Sequence, residues 1–212
     1  MTSGYRDRDH AGDVLAAELR GYAGHPDACV LGLVRGGVPV AARVAAALRL
    51  PLDALVVRKL GVPWAPEVAF GALGPGGVRV LNEQVVRVLD ARAVAKVTAR
   101  EAAGLARWEK RYRAGRSRLE LAGRTVIVVD DGLATGATAQ AAVAVVRGLG
   151  ATRVVLAVPV GSAPAVAWLR ETADEVVCPL VPASFGAVSR YFDAFEQVTE
   201  DAVSALLAEA AP

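Results

Sequence analysis

The stretch that decides the fold is TVIVVDDGLATGATAQAAV, Thr125–Val143. Four apolar residues run into two adjacent aspartates, Asp130 and Asp131, and a turn of small residues then leads into an alanine-rich segment. The apolar run is typical of a buried strand, and the alanine-rich segment favours a helix. Because ligands of open α/β sheets bind beyond the carboxyl ends of the strands, the two carboxylates are candidate site residues.

The turn after the aspartates has the composition of a phosphate-binding loop. Small residues let backbone N–H groups approach an anion, a helix N-terminus adds partial positive charge, and threonines add hydroxyl donors. Carboxylates would repel the phosphate itself, so they suit sugar hydroxyls or a bound Mg²⁺. The predicted ligand is therefore a phosphorylated sugar. The phosphate-binding residues would be Gly132, Leu133, Ala134, Thr135, Gly136, Ala137 and Thr138.

Two other phosphate motifs do not fit this stretch. A P-loop needs lysine after its second glycine, and Gly136 is followed by Ala137. A dinucleotide-binding fingerprint has its glycines before the acidic residue, and here that order is reversed. The plainer alternative, which stays open, is an Asp-Asp cap on an ordinary strand-to-helix turn.

Apolar strands alternate with alanine-rich helices along most of the chain, which predicts an α/β fold. The sheet is expected to be doubly wound and mainly parallel, with both faces covered by helices. We expect one domain, residues 1–212. Segment 60–80 is rich in glycine and proline and is predicted to be a loop or loose hairpin. Strands are predicted at 28–34, 52–57, 125–129, 153–158 and 175–178, and helices at 13–22, 38–48, 85–113, 138–148, 163–172 and 199–210.

The composition limits the classes of partner. The chain has 212 residues, 54% of them hydrophobic, and a formal net charge of +2, so nothing global indicates a nucleic acid or a membrane. No apolar run approaches the length of a membrane span. The only cysteines, Cys29 and Cys178, lie in apolar runs and are expected to be reduced thiols of a cytoplasmic protein.

The segment Val126–Thr138, VIVVDDGLATGAT, resembles the phosphoribosyl-diphosphate (PRPP) motif of type I phosphoribosyltransferases. That motif has an apolar strand, two acids, three variable residues, then Thr-Gly, a small residue and Thr. The resemblance implies the fold of that family. It also implies that Asp130 and Asp131 hold the ribose 2- and 3-hydroxyls, and that residues 132–138 wrap the 5-phosphate.

Two further matches concern pyrophosphate. The loop after the first strand carries Arg35, Gly36 and Gly37, and in the family such a loop binds pyrophosphate through backbone N–H groups, often with an unusual peptide bond. Arg58 and Lys59 close the next strand, where the family has basic residues that reach pyrophosphate and introduce a mobile loop. That loop would span about 60–81. The chain is most similar to a bacterial group usually called predicted phosphoribosyltransferases.

The activity that the resemblance implies is Mg²⁺-dependent transfer of phosphoribose from PRPP to a nitrogen acceptor, with release of pyrophosphate. Asp130 and Asp131 would be catalytic and would hold the metal mainly through PRPP and water, and Glu67 on the mobile loop is a candidate acid or base. The family suggests nucleotide salvage and a homodimer. Enzymes for 6-oxopurines usually have aspartate where this chain has Ala134. The motif here is therefore closer to that of adenine-type enzymes, but one position does not assign the base.

Two peripheral segments have open roles. About 82–118 is a basic helical insertion with ten basic residues between positions 87 and 118. It could be a solvated face, a cover over an anionic substrate, or the surface of a PRPP-sensing regulator that binds nucleic acid or protein. About 179–198 is expected to be a small C-terminal hood, where Phe185 and Tyr191 could stack on an acceptor base or simply pack the hood onto the domain.

Overall fold

The computed structural model describes residues 4–113 and 117–210, apart from the side chains of Pro66 and Glu67. Its regular elements alternate in the way that the sequence predicts. The strands are β1 Ala28–Leu33, β2 Leu52–Leu55, β3 Arg58–Val62, β4 Ala65–Leu73, β5 Arg79–Leu81, β6 Thr125–Val129, β7 Arg153–Ala157 and β8 Glu175–Val177. The α-helices are α1 Arg8–Glu18, α2 Gly37–Leu48, α3 Glu83–Val86, α4 Ala91–Arg113, α5 Ala137–Gly148, α6 Ala163–Leu169 and α7 Glu200–Glu209.

The central sheet has five strands in the order β2-β1-β6-β7-β8, and every pairing in it is parallel. This confirms the predicted α/β class. The chain order reverses between β1 and β6, where Gly32 pairs with Val129. At such a topological switch point the helices that follow the two strands, here α2 and α5, lie on opposite faces of the sheet, which opens a crevice at the carboxyl ends of the strands.

Strand β6 shows how the sheet is buried on both faces. Ile127 and Val129 belong to the apolar cluster that includes α1, α2 and α7, whereas Val126 and Val128 belong to the cluster that includes α5 and α6. Successive side chains of a strand point to opposite faces, so a continuous apolar run is what a doubly covered strand requires. The four apolar residues that follow Thr125, residues 126–129, therefore have a packing role.

Segment 60–81 is not the loop or loose hairpin that the sequence predicted, because β3, β4 and β5 form a three-stranded antiparallel sheet. Its glycines allow close packing. A Cβ at Gly71 would lie 2.4 Å from the carbonyl oxygen of Val80, and one at Gly74 would lie 2.0 Å from a methyl of Val145. These glycines permit contact between strands and with α5, so their presence did not indicate irregular structure.

The helix predicted at 85–113 is interrupted at residues 87–90, between α3 and α4, and the Asp90 carboxylate accepts the Ala93 N–H at 2.9 Å and caps α4. Helix α4 is continuous through Gly104, which makes room for the guanidinium of Arg58. Two arginines of this segment are paired with acids from other parts of the chain. Arg113 bonds Asp53 at 2.6 Å, and Arg111 pairs with Glu200 and Asp201 of α7.

The C-terminal hood packs against residues near the N-terminus. Tyr5 donates its hydroxyl to the Pro159 carbonyl at 2.7 Å, and its backbone N–H donates to the Tyr191 carbonyl at 2.7 Å. Tyr5, Tyr191 and Phe192 form a separate apolar cluster with Val160. Over the described parts of the chain, no helix combines the length and the apolarity that a membrane crossing needs.

Candidate active site

The candidate site lies at the switch point, where the loops after β1 and β6 meet. Arg35, Gly36 and Gly37 follow β1, and Asp130 and Asp131 follow β6. The peptide bond between Val34 and Arg35 is cis, as the family resemblance led us to expect of this loop. Two stretches far apart in the sequence are thus brought to one edge of the sheet.

Only glycine fits at the contact between these loops. A Cβ at Gly36 would lie 2.0 Å from the Oδ2 atom of Asp131, and a Cβ at Gly37 would lie 2.5 Å from the Val129 carbonyl oxygen and 2.8 Å from the Asp130 Cα. Cβ atoms do not approach other heavy atoms this closely. The Arg-Gly-Gly sequence therefore lets the backbone of one loop pack directly on the acidic pair of the other.

The two carboxylates are in an environment that does not favour their ionised forms. Burial raises the pKa of Asp130 well above its ordinary value, and the charge of Asp131 raises it further. Burial also raises the pKa of Asp131, although hydrogen bonds from Arg8 oppose the shift. Asp130 accepts the Asp131 backbone N–H at 2.9 Å. Such a pair is ready to accept hydroxyl donors or a cation, either of which stabilises the charged forms.

The side chain of Arg8 covers this pair, a feature that the sequence reasoning missed. Its Nε and Nη2 atoms donate to Asp131 Oδ2 at 2.9 and 2.7 Å, and its guanidinium carbon lies 3.9 Å from the centre of the Phe195 ring. Arg8, Arg35, Asp131 and Phe195 line one cavity of about 370 Å³. In the sequence, Arg8 belongs to a charged run with no motif around it, so no signal distinguished it from a surface residue.

The predicted phosphate loop, residues 132–138, leads into α5 as expected. Gly136 caps the helix with φ of +83°, a left-handed conformation that favours glycine, and α5 begins at Ala137. The first-turn N–H groups of a helix have no partner within the helix, so they can bind an anion. Thr135 and Thr138 are exposed at this turn.

The loop is held in shape by residues that the sequence reasoning did not select. The backbone N–H of Leu133 donates to the Val160 carbonyl at 2.9 Å. Ser162 donates its hydroxyl to the Ala134 carbonyl at 2.7 Å and its backbone N–H to the Leu133 carbonyl at 2.8 Å. Val160 and Ser162 follow β7, so the adjacent strand of the sheet supports the loop that follows β6.

Arg58 and Lys59 lie beside the start of α5. They line a cavity of about 270 Å³ together with Thr138 and Glu101. The Arg58 guanidinium bonds the Glu101 carboxylate at 2.9 Å, so it is paired with an acid of α4. The structure thus brings these two basic residues to the phosphate loop, and it brings Arg35 to the acidic pair.

The remaining predicted site residues are Glu67, Phe185 and Tyr191. The side chain of Glu67 lies outside the part of the chain that the structure describes. Tyr191 is buried and donates its hydroxyl to the carbonyls of Ser184 and Phe185, both at 2.8 Å, and the Phe185 ring stacks on it at 5.6 Å between centroids. These two rings pack on each other, whereas Phe195 is the aromatic residue that lines the cavity beside Asp131.

Comparison with known proteins identifies the family of the chain. Residues 8–195 match the family model of the phosphoribosyl transferase domain. Rv0571c of Mycobacterium tuberculosis, whose name assigns it provisionally to the phosphoribosyl transferases, is 52% identical over 205 residues. That match covers 96% of this chain but 46% of the relative, so the chain spans about half the length of the curated relatives it matches.

A solved structure shares the architecture almost throughout. The protein TT1426 of Thermus thermophilus superposes with a TM-score of 0.93 at 45% sequence identity, and the match covers 99% of this chain and 100% of that one. The matched family model spans every element from α1 to the hood, including both loops at the switch point. The chain belongs to the phosphoribosyl transferase domain family.

Proposed function

We propose that this protein transfers the 5-phosphoribosyl group of PRPP to a nitrogen acceptor, a nucleobase or related heterocycle, and releases pyrophosphate with the help of Mg²⁺. The observation that carries this proposal is the direct contact of Gly36 with Asp131 at the switch point. It sets a backbone loop suited to pyrophosphate against the acids suited to ribose hydroxyls, as a ligand bearing both groups requires.

Each part of PRPP has a chemical counterpart in the site. Ribose hydroxyls would donate to Asp130 and Asp131. The 5-phosphate would accept N–H groups of residues 132–138 at the positive end of α5. The pyrophosphate would lie by the loop at residues 35–37, within reach of the basic residues at 58 and 59.

The reaction would break the bond between ribose C1 and the pyrophosphate oxygen and form a bond between C1 and the acceptor nitrogen, whose proton would pass to a base such as Glu67 or to water. Positive charge develops on the ribose ring, and negative charge gathers on the leaving group. Arg35 and Lys59 would stabilise the leaving group, and the carboxylates of Asp130 and Asp131 would stabilise the ring. Movement of the β3–β5 sheet toward the site as one unit, with Glu67 in β4, would exclude water that could otherwise hydrolyse PRPP.

The donor set fits Mg²⁺ held mainly by substrate and water. Within residues 4–113 and 117–210 no group of three or more His, Cys, Asp or Glu side chains is arranged to hold a metal. Two adjacent carboxylates with raised pKa values remain, and Mg²⁺ in phosphate chemistry characteristically uses one or two carboxylates, water and phosphate oxygens. When bound, Mg²⁺ would neutralise part of the charge that forms on pyrophosphate.

The acceptor would occupy the part of the cavity of about 370 Å³ that Phe195 lines with an aromatic face, and the part lined by Arg35 and Gly36 would be left to pyrophosphate. The buried contacts of Tyr191 support a packing role for that ring in the hood, with Phe185 beside it. We also propose that the protein acts in nucleotide salvage, forms a homodimer and is cytoplasmic. The unpaired thiols Cys29 and Cys178 are compatible with a reducing compartment.

The test is a screen of the purified chain with PRPP, Mg²⁺ and a panel of bases and amines, read as pyrophosphate release. The variant carrying both Asp130→Asn and Asp131→Asn should retain the far-UV circular dichroism of the parent and lose nearly all turnover. Parental release by that double variant, or no PRPP binding by the parent, would refute the proposal.

A regulator that senses PRPP and binds nucleic acid is the second candidate. Arg92, Lys96, Arg107 and Lys110 of α4 are exposed and form no ion pair within the described residues, which is the observation that favours it. Salt-sensitive binding of RNA or DNA without PRPP turnover would distinguish this candidate from the enzyme.

A further inference from the structure

Arg8 closes the site on the side where the proposed function places ribose. It is the first residue of α1, and its Nε and Nη2 atoms both donate to a single oxygen, Asp131 Oδ2, at 2.9 and 2.7 Å. The side chains of Arg8 and Asp131 are only 12% and 16% exposed. An ion pair shielded from solvent in this way has a defined geometry, unlike most surface pairs.

The same oxygen of Asp131 is confined from another direction by Gly36. A Cβ on that glycine would lie 2.0 Å from Oδ2 and 3.2 Å from Oδ1. The carboxylate is therefore fixed between the backbone of the β1–α2 loop and the guanidinium of Arg8. Because both hydrogen bonds from Arg8 end on Oδ2, the Oδ1 atom is left as an acceptor for a ligand hydroxyl.

Arg8 also holds the C-terminal wall of the cavity. Its Nη1 atom donates to the Glu196 carbonyl at 2.8 Å, and its guanidinium carbon lies 3.9 Å from the Phe195 ring centre. Phe195, Glu196 and Asp131 line the same cavity of about 370 Å³. The side chain of Arg8 thus links Asp131, which faces the proposed ribose position, to residues 195–196, which face the proposed acceptor position.

We propose that Arg8 is a positioning residue for the ribose ring of PRPP. Held by Arg8, Asp131 presents Oδ1 to a ribose hydroxyl, and the wall at residues 195–196 stays at a fixed distance from that hydroxyl. This inference rests on the proposed function, because it takes ribose as the group that Asp131 meets. Arg8 acts through Asp131 and the Glu196 carbonyl, so its removal should affect ribose binding and leave pyrophosphate binding intact.

The experiment compares Arg8→Gln and Arg8→Lys with a matched control, Arg43→Gln. Arg43 also pairs with an aspartate of α1, Asp13, through three hydrogen bonds of 2.8 to 3.1 Å, but that pair is 48% exposed on both sides and lines none of the cavities at the site. Calorimetry would measure the Kd values of PRPP, ribose 5-phosphate and inorganic pyrophosphate, with Mg²⁺ present.

Arg8→Gln should raise the Kd of ribose 5-phosphate and of PRPP by about tenfold or more, the scale of one charge-assisted hydrogen bond. The Kd of inorganic pyrophosphate should change less than about twofold. Arg8→Lys should give an intermediate Kd, since one ammonium replaces a fork of donors. In an Asp131→Asn background, Arg8→Gln should add little, because its effect passes through Asp131.

The outcomes separate this inference from the proposed function. If the parent binds PRPP and Arg8→Gln binds ribose 5-phosphate equally well, the inference fails and the proposed function stands. Equal weakening of ribose 5-phosphate and pyrophosphate would indicate a general structural role and also overturn it. Tighter binding by Arg8→Gln would overturn it as well, since Arg8 would then compete with the ligand. A parent that binds no PRPP refutes both. If Arg8→Gln does not fold, Arg8→Lys carries the same comparison.

Discussion

Gly36 packs so closely on Asp131 that a single added carbon at Gly36 would lie 2.0 Å from the Asp131 Oδ2 atom. The two residues come from loops that leave neighbouring strands of the sheet, β1 and β6. Their contact fixes the distance between the pyrophosphate and ribose positions of the proposed site. The glycine is therefore required by the close approach of Asp131, since its own dihedral angles, φ −61° and ψ −31°, are ones that any residue adopts.

This contact predicts a large effect of Gly36→Ala. The new Cβ must displace the Asp131 carboxylate, so PRPP affinity should fall by about tenfold or more, measured by calorimetry with Mg²⁺. Gly21→Ala is a matched control, because a Cβ at Gly21 meets no atom within 4 Å. Parental PRPP affinity in Gly36→Ala, together with a parental thermal midpoint, would contradict the assignment of this contact.

The phosphate loop predicts different effects at two adjacent positions. Gly136 has φ of +83°, and a Cβ there would lie 3.2 Å from Leu169 and 3.3 Å from Trp168. Gly136→Val should therefore strain the turn and push it away from α6, and it should abolish measurable binding of ribose 5-phosphate. Thr135→Val removes one hydroxyl and should cost roughly 1.5–3 kcal/mol of binding free energy. Equal losses for the two variants would argue against a cradle lined by backbone.

The sequence predicted the parts of this site that depend on local pattern. The acidic pair, the glycine loop at 36–37 and the threonine-glycine turn before α5 all lie beside strand ends that the apolar runs identify. Because parallel strands end at the same edge of a sheet, the meeting of these loops followed from the fold class.

The sequence did not predict the contacts that join distant segments. Arg8 and Asp131 are 123 residues apart, and a charged run near the N-terminus looks like any solvated surface. Likewise, the acids that pair with Arg111 and Arg113 come from α7 and β2, so charge counting within the basic insertion overstated its free positive charge. Such pairings depend on tertiary structure and have no local signature.

Asp130→Asn should stabilise the protein in the absence of Mg²⁺ and PRPP, in a manner that depends on pH. The folded-state pKa of Asp130 is raised, first by burial and then by Asp131. Between the ordinary value of about 3.9 and this raised value, the folded protein retains a proton that the unfolded chain has released. Stability therefore falls as pH rises through this window, and Asp130→Asn removes that cost.

The measurement is the thermal midpoint of parent and variant from about pH 4 to about pH 8. The advantage of Asp130→Asn should grow with pH and shrink toward about pH 4. Asp174→Asn is a control of opposite sign, since hydrogen bonds from the Val154 N–H and from Arg147 lower the pKa of Asp174. It should be destabilised at neutral pH, and the deficit should shrink as acid protonates the parent. A midpoint difference independent of pH would contradict the electrostatic account of Asp130.

The exposed basic residues of α4 decide between enzyme and regulator. Lys96 and Arg107 are exposed and about three helical turns apart on one face. Replacement of both by Gln should leave PRPP-dependent pyrophosphate release unchanged. If the face binds RNA or DNA, the parent should bind it with a salt dependence whose log–log slope falls by about two units in the variant. That result, with no turnover by the parent, would favour the regulator.

Glu101 provides the last prediction, because it is a carboxylate beside Arg58 and Lys59, the basic residues that we propose bind pyrophosphate. It lines the cavity of about 270 Å³ with Arg58, Lys59 and Thr138, and it bonds the Arg58 guanidinium at 2.9 Å. Glu101→Gln removes a negative charge that opposes an anionic ligand and releases Arg58 toward that ligand. The Kd of inorganic pyrophosphate should fall roughly three- to tenfold, the scale of one unit charge across a solvated cavity. Glu109→Gln is the control, since Glu109 pairs with Arg118 and does not line this cavity. Weaker pyrophosphate binding in Glu101→Gln would mean that Arg58 serves the ligand only while Glu101 holds it, and it would contradict the prediction.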